Sequence, residues 1–386
     1  MKFSISQIDF LKGLTLSNKS LLSKANLPIL SNVLISAEKN KVEIVTTNLE
    51  TATRVSLVAG VEREGKTTLL GRTIGEFVQQ LEGGNKLIFE KLGEEAVIES
   101  GSYNARFATM DAADFPSIPK VGSGFEVKLG GHDFFEGILK VAFCAAQDES
   151  RPILTGVLCE IVKNKLKLVA TDGYRLGFCE VDTEKNESAI STTFIIPAKA
   201  LLEVAKIISE EAGDSDKKEN NDGVSFIVSQ NLTQAVFMIG KVEFTSRLIE
   251  GEFPNWQKII PASFITKGQV SKTEFTRAIK MASIFARESG NIIKLNLEGG
   301  QKGGASLTVN AITAQVGSAS GKIDVKLDGK GGEIAFNFRY LLDVLTVLPD
   351  EEIFFEMNES LNPGKITGSS DGSKSFHIIM PVRLQG

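Results

Sequence analysis

Two histidines, three cysteines and one tryptophan are all that 386 residues hold of those types. Cys144, Cys159 and Cys179 form no Cys-x-x-Cys pair and no cluster with His132 or His377. That argues against structural zinc and for a reducing compartment, the cytoplasm. No run of about 18 apolar residues occurs, so no membrane span is expected. The opening MKFSISQIDFLKG lacks the apolar core and cleavage site of a secretory signal. Lysine and arginine total 43 against 48 acidic residues, a net charge of −5 that gives no global pull toward nucleic acid. Any such binding must rest on a local basic face.

Recognisable catalytic or ligand-binding patterns are equally scarce. His132 precedes a helical pattern and His377 takes a polar slot in an alternating run, so both read as structural. The stretch 317–322, GSASGK, is one residue short of a phosphate loop and is followed by Ile323 rather than Ser or Thr. Cys144 falls in an apolar helical pattern, as a small core residue would. There is no D-x-D-x-D-G loop for calcium. No cofactor, metal site or active site is expected, and the chain reads as a non-enzyme.

What the chain does have is a repeat. Residues 151–174 lie without a gap on residues 27–50, LPILSNVLISAEKNKVEIVTTNLE, at an offset of 124. Pro28, Ile29, Leu30, Val33, Leu34, Lys39, Asn40, Lys41, Val45 and Thr47 meet identical partners at Pro152, Ile153, Leu154, Val157, Leu158, Lys163, Asn164, Lys165, Val169 and Thr171. A match this long at that distance means duplicated domains, not a solenoid of short units.

Helical periodicity recurs at Ile74, Phe77, Val78, Leu81; at Leu201, Val204, Ala205, Ile208; at Phe275, Ala278, Ile279, Ala282; and at Leu341, Val344, Leu345, Leu348. Thr73 with Glu76 and Ser271 with Glu274 have capping-box spacing, and Pro197 suits a first helical turn. Residues 132–146 predict a fifth helix and about 7–16 a sixth, weakened by Gly13. Between them the period falls to two, as in Lys41-Val-Glu-Ile-Val, Lys165-Leu-Lys-Leu-Val and Ala305-Ser-Leu-Thr-Val, which predicts antiparallel strands. The third repeat has diverged most and is recognised by this order of elements. The fold class is therefore α+β, three repeated domains each with two helices and antiparallel sheets. Asp114-Phe-Pro and Glu252-Phe-Pro are 138 apart rather than 124. The polar stretch 209–223 is the surface loop that accounts for the difference. Boundaries fall at 1–122, 123–262 and 263–386.

Only the second copy carries Thr171-Asp-Gly-Tyr-Arg-Leu-Gly177. By itself Asp172-Gly173 is a turn between two strands, with Arg175 paired on the surface. The wider motif set changes the reading: LPILSN (27–32), ADFP (113–116), ATDGYRLG (170–177), FTSRLIEGEFPNW (244–256) and MPVRL (380–384). Over essentially its whole length the chain resembles the bacterial DNA sliding clamps, the β subunits of the replicative polymerase.

The resemblance implies a head-to-tail homodimer whose six domains close a ring, with helices lining the hole and sheets outside. Double-stranded DNA threads that hole and is held by topology, so contacts go to phosphate and are independent of sequence. The helices carry Lys12, Arg72, Lys140, Lys199, Lys206, Arg277, Lys280 and Arg339. Of these, Arg72, Lys199, Lys206, Arg277 and Lys280, together with Lys24, Gln147 and Arg151 in loops, are the DNA-binding candidates. The resemblance also implies a pocket for short hydrophobic motifs of the replicative polymerase, the clamp loader, repair polymerases and other clamp-motif proteins. Its matching residues are Leu154, Thr171, Gly173, Tyr174, Arg175, Leu176, Pro254, Lys258, Ile259, Ile378, Met380, Pro381, Val382, Arg383 and Leu384. Tyr174 stands where many relatives have His, and Gln385 and Gly386 extend past Leu384. Ring closure is expected at Phe107, Ile284 and Phe285. ATP is consumed by the loader, not here. The alternative is a small-molecule-binding or hydrolytic enzyme on the same repeated domains, with a polar site around Arg175 and Arg383.

Overall fold

A computed structural model describes residues 1–22, 27–119, 121, 123–184, 191–212, 223–299, 304–313, 317–370 and 374–383. The chain divides into two compact units, one of Met1–Phe135 with Ala200–Leu248, the other of Glu136–Lys199 with Ile249–Gly386. Six helices are found among the described residues: α1 (Gln7–Ser17), α2 (Gly71–Gln80), α3 (Gly131–Ala142), α4 (Ala198–Ala212), α5 (Lys272–Ala286) and α6 (Phe338–Val347).

The first unit holds two antiparallel sheets. The smaller runs Gly60–Arg63, Lys2–Ser6, Lys86–Leu92, Glu95–Ser100, Tyr103–Ala108. The eight-stranded sheet joins two repeats, because Val242–Arg247 pairs with Thr51–Val58. The second unit is built on one twelve-stranded sheet, in which Arg175–Asp182 pairs with Ser375–Ile379. In both sheets a strand of one repeat satisfies the free edge of the next. Edges that would otherwise expose unpaired N–H and C=O groups are thereby consumed.

The repeat seen in the sequence is preserved in the backbone. Short 3-10 turns occur at Pro28–Ser31 and Pro152–Thr155, followed by strands Asn32–Glu38 and Gly156–Val162, then Lys41–Thr47 and Lys165–Thr171. Even the hairpin strain is copied: Lys39 and Lys163 take φ of 52° and 57°.

The apolar stripes of the helices form the core. All four stripe residues of α4, of α5 and of α6 with its C-cap Leu348 are buried; in the α2 stripe Phe77 is half-buried. Gly13 leaves α1 intact, since the helix packs so closely that a Cβ there would lie 2.6 Å from Leu57 Cδ1. Ser271 caps α5 as expected, its Oγ accepting from the Glu274 N–H at 3.4 Å.

Four local expectations are corrected. The α2 helix starts at Gly71, not beyond Thr73, and Glu76 turns to Arg72 (2.9 Å, one helical turn away) instead of closing a capping box. Pro197 ends the strand Ser191–Pro197, an edge strand that tolerates a missing donor, immediately before α4. The α3 helix stops at Ala142, because Ala146 N–H is taken by the Leu154 carbonyl (2.8 Å) and Phe143 O by Arg175. The stretch 209–223 is not loop throughout: α4 continues through Ala212, where Glu210 and Glu211 meet Lys19 (2.5 Å) and Lys12 (3.1 Å) of the α1 region. The remainder, 213–222, lies outside the described residues. The GSASGK stretch falls in the long strand Gly317–Gly329, with no helix N-terminus behind it to hold a phosphate.

Candidate functional site

The segment 171–175 is a self-bonded turn in the second unit. Thr171 Oγ1 donates to the Arg175 carbonyl (2.6 Å) and accepts from the Gly173 N–H (3.0 Å). Asp172 Oδ1 accepts from the N–H groups of Tyr174 (2.9 Å) and Arg175 (3.0 Å). Gly173 sits at φ +91°, where a Cβ would be strained. The turn presents Tyr174, 63% exposed, to solvent.

Arg175 is paired, as the simple turn reading predicts, but it is not on the surface: its side chain is 10% exposed. Nε donates to Asp172 Oδ2 (3.0 Å), Nη1 to Asp343 Oδ2 (2.5 Å) and Nη2 to the Phe143 carbonyl (2.8 Å). The guanidinium lies 5.2 Å from the Phe143 ring centroid and 4.8 Å from that of Tyr340. Burial pulls its pKa down, but the hydrogen bond it donates to Asp343 and the neighbouring charges outweigh it and the net shift is upward. The group stays charged, and three of its five donors are spent inside the protein.

Beside this turn lies an apolar floor. Leu176 and Ile378 are register partners, and both belong to a buried cluster with Leu158, Val169, Phe178, Ile195 and Trp256, against which Ile259 packs. Phe178 stacks between Trp256 (5.3 Å) and Phe376 (4.8 Å). The C-terminal segment borders the turn: Met380 N–H donates to the Tyr174 carbonyl (2.8 Å), and Val382 N–H to the Ala335 carbonyl (2.8 Å). Met380, Pro381 and Val382 are half-buried, whereas Pro254, Lys258 and Arg383 are exposed. Leu154 is buried in the turn Pro152–Thr155. Of the fifteen matched residues, the structure therefore brings the 171–176 group, Ile378, Met380 and Ile259 together. Pro254 and Lys258 flank them at the 3-10 turn Trp256–Ile259, and Leu384 lies outside the described residues. Phe143, Tyr340 and Asp343 were not anticipated, and Asp172 was expected only as a turn residue. The one signal was the spacing of Tyr340 and Asp343, three apart on α6 and off its apolar stripe.

The cationic candidates fall into three groups. Arg277 and Lys280 are exposed on α5 with no carboxylate in ion-pair reach among the described residues. They line a groove of about 800 Å³ between α5 and α6, with Lys272, Met281, Ile284 and Leu342. Arg72, Lys206 and Lys199 are exposed but each faces a glutamate: Glu76 at 2.9 Å, Glu203 at 2.7 Å and Glu149 at 4.0 Å. Lys140, a helix cation outside the DNA-binding candidates, is different. It is only 8% exposed and so is no phosphate contact; its charge acts on Asp350, and its carbonyl bonds His377 Nε2 (2.7 Å). Gln147 and Arg151 lie beside the turn Pro152–Thr155, and Lys24 is outside the described residues.

For ring closure, Ile284 is 60% exposed, while Phe285 is half-buried against the core under α5. Phe107 lies on the edge strand Tyr103–Ala108, its ring edge-on to Phe77 at 5.6 Å. His132 is exposed in the first turn of α3, and His377 is fully buried on the strand Ser375–Ile379. Burial pushes the Cys144 and Cys159 thiols up, which keeps them protonated and inert. Among the described residues no group of three or more His, Cys, Asp or Glu could hold a metal. None of their helices is long and apolar enough to cross a membrane.

Comparison with known proteins agrees across the whole chain. Models of the DNA polymerase III beta subunit match in series, the N-terminal domain at residues 1–119, the central domain at 128–255 and the C-terminal domain at 257–383. The beta sliding clamp of Synechocystis sp. is 29% identical over 404 residues, covering 100% of this chain and 100% of its own. The DNA polymerase sliding clamp of Bacillus subtilis, 26% identical, superposes with a TM-score of 0.90 over 100% of both chains. The DNA polymerase III subunit beta of Pseudomonas aeruginosa gives the same identity of 26%, TM-score of 0.90 and coverage of 100% for each chain. Three clamp domains of mixed α+β build define a DNA sliding clamp of replication, a processivity factor and not a catalyst. The chain belongs to the DNA polymerase III beta subunit family. None of these relatives supports the enzyme alternative, and Arg175 is committed to internal partners instead of a polar ligand site.

Proposed function

We propose that two copies close head to tail into a ring of six domains, bounded in each chain at 1–122, 123–262 and 263–386. Ile284, Phe285 and Phe107 lie at the junctions. Duplex DNA passes through the ring, contacted at phosphate by Arg277 and Lys280 and more weakly by Arg72, Lys199 and Lys206, whose glutamate neighbours reduce their pull. Lys24, Gln147 and Arg151 touch the duplex at the ring face. Weak, partly neutralised contacts suit a sliding protein, since strong phosphate binding would arrest it. The work is done in the cytoplasm, with loading by a separate ATP-consuming loader.

The fifteen matched residues form the docking pocket for the replicative polymerase, the loader, repair polymerases and other partners that carry a short hydrophobic motif. One observation carries this reading: an exposed Tyr174 and a half-buried Met380, joined by a hydrogen bond of 2.8 Å, border the buried Leu176–Ile378 floor. Apolar walls with a few fixed polar groups are what a peptide groove needs. Fluorescence anisotropy with a labelled peptide from the cognate polymerase's clamp-binding segment tests it. Tyr174→Ala with Met380→Ala is expected to weaken binding about tenfold or more. Unchanged affinity in that double variant would remove the pocket assignment.

A further inference from the structure

The Thr171–Arg175 turn is held by its own hydrogen bonds, by the Met380 N–H on its Tyr174 carbonyl, and by one side chain that reaches out of it. Arg175 grips three different elements. It bonds Asp172 within the turn, the Phe143 carbonyl just past α3, and Asp343 on α6, 168 residues away in sequence. Tyr340, one turn before Asp343, lies against the guanidinium at 4.8 Å, and Phe143 at 5.2 Å. Asp343 itself is 48% exposed on its side chain. It contributes nothing to the apolar core and has no other hydrogen bond or ion pair among the described residues.

We propose that Asp343 is a positioning residue for the peptide pocket: through Arg175 it sets the conformation of the 171–175 turn without touching the bound peptide. The inference rests on the pocket reading above and adds to it a residue that the resemblance did not mark. The physical case is geometric. A planar guanidinium bonded along both its Nε and Nη edges has its orientation fixed, which a lysine at the same place could not reproduce. Asp172 divides its two oxygens, Oδ1 to the turn's N–H groups and Oδ2 to Arg175. Whatever rotates Arg175 therefore pulls on the hydrogen bonds that shape the turn. The same turn carries Tyr174, whose carbonyl receives Met380, so a shift passes directly to the pocket rim. Loss of Asp343 frees Nη1 to swing toward solvent and loosens that chain of contacts. Because Asp343 is half exposed and Arg175 keeps Asp172 and the Phe143 carbonyl as partners, removal of Asp343 changes global stability little.

The test is peptide affinity in the full-length protein, with Asp343→Asn, Arg175→Lys and the double variant, and Tyr174→Ala as a direct-contact control. Asp343→Asn is expected to weaken the peptide about threefold to tenfold with the thermal midpoint essentially unmoved. Arg175→Lys should do the same or more. The double variant should be no worse than Arg175→Lys alone, because the two act as one unit. A purely structural role would lower the midpoint and would not produce this non-additive loss in binding. Full affinity in Asp343→Asn while Tyr174→Ala binds poorly overturns the positioning role and leaves the pocket standing. Full affinity in both overturns the pocket and this inference with it.

Discussion

At the scale of single residues, charge is the least legible property of this chain. Lys140 is the lone lysine of α3, flanked by Leu139 and Val141, and a single lysine in a helical pattern ordinarily reads as solvated. It is nonetheless only 8% exposed, and its charge acts on Asp350, more than 200 positions downstream. Asp350 in turn is boxed in: Ser370 N–H (2.7 Å) and Ser369 Oγ (3.1 Å) donate to it, and a Cβ on Gly368 would come 2.0 Å from its Oδ2. Gly368→Ala is therefore expected to cost about 1–3 kcal/mol, read as a lower urea midpoint at constant slope. An unchanged midpoint would show that the carboxylate moves aside freely. Burial pushes the Asp350 pKa up, but the hydrogen bonds from Ser370 and Ser369 and the charge of Lys140 prevail and hold it below the ordinary value. A depressed carboxyl stabilises the fold above its unfolded pKa, near 3.9, and that contribution disappears as pH falls through the folded value. Asp350→Asn should thus lose stability at neutral pH, with the gap to the parent narrowing below about pH 4. A gap that stays constant from pH 7 to pH 3 would contradict this.

At the scale of elements, α5 combines the two surfaces the proposed ring needs. Its buried stripe of Phe275, Ala278, Ile279 and Ala282 anchors it, leaving Arg277, Lys280 and Ile284 exposed. Replacing Arg277 and Lys280 with Gln is expected to shorten residence on circular DNA at low salt and to flatten its salt dependence by about 0.9 for each phosphate no longer neutralised. The measurement is dissociation rate against salt; an unaltered slope would place these cations away from DNA. Ile284→Asp is expected to give a folded monomer by size exclusion with light scattering. A dimer that persists would exclude Ile284 from the junction. The helices themselves were readable because a 3.6-residue apolar period survives divergence: Leu201, Val204, Ala205 and Ile208 are all buried. Their ends were less readable. Ala142 ends α3 because the Leu154 carbonyl and Arg175 take backbone groups just beyond it, and those partners are not local. The candidate pocket shows the same division. The turn at Asp172-Gly173 was evident from residue type, but Asp343, 168 positions from Arg175, could be placed only in three dimensions.

At the scale of the molecule, the sheets explain how three repeats hold together within one chain. Val242–Arg247 continues the sheet of the first repeat, and Ser375–Ile379 continues that of the second, so adjacent repeats share backbone hydrogen bonds instead of resting on side chains alone. The duplication was visible in residues 27–50 and 151–174; the sheet pairing between repeats was not, because an alternating strand carries no mark of its partner. A ring has a consequence that no open DNA-binding protein shares: its hold depends on the continuity of the DNA. The decisive measurement is retention on nicked circular duplex after loading by a matched loader with ATP, followed by cutting the circle. The account predicts stable association with the intact circle in moderate salt and prompt release once the DNA is linear. Equal retention on circular and linear DNA, or loss from intact circles that tracks salt alone, would contradict it.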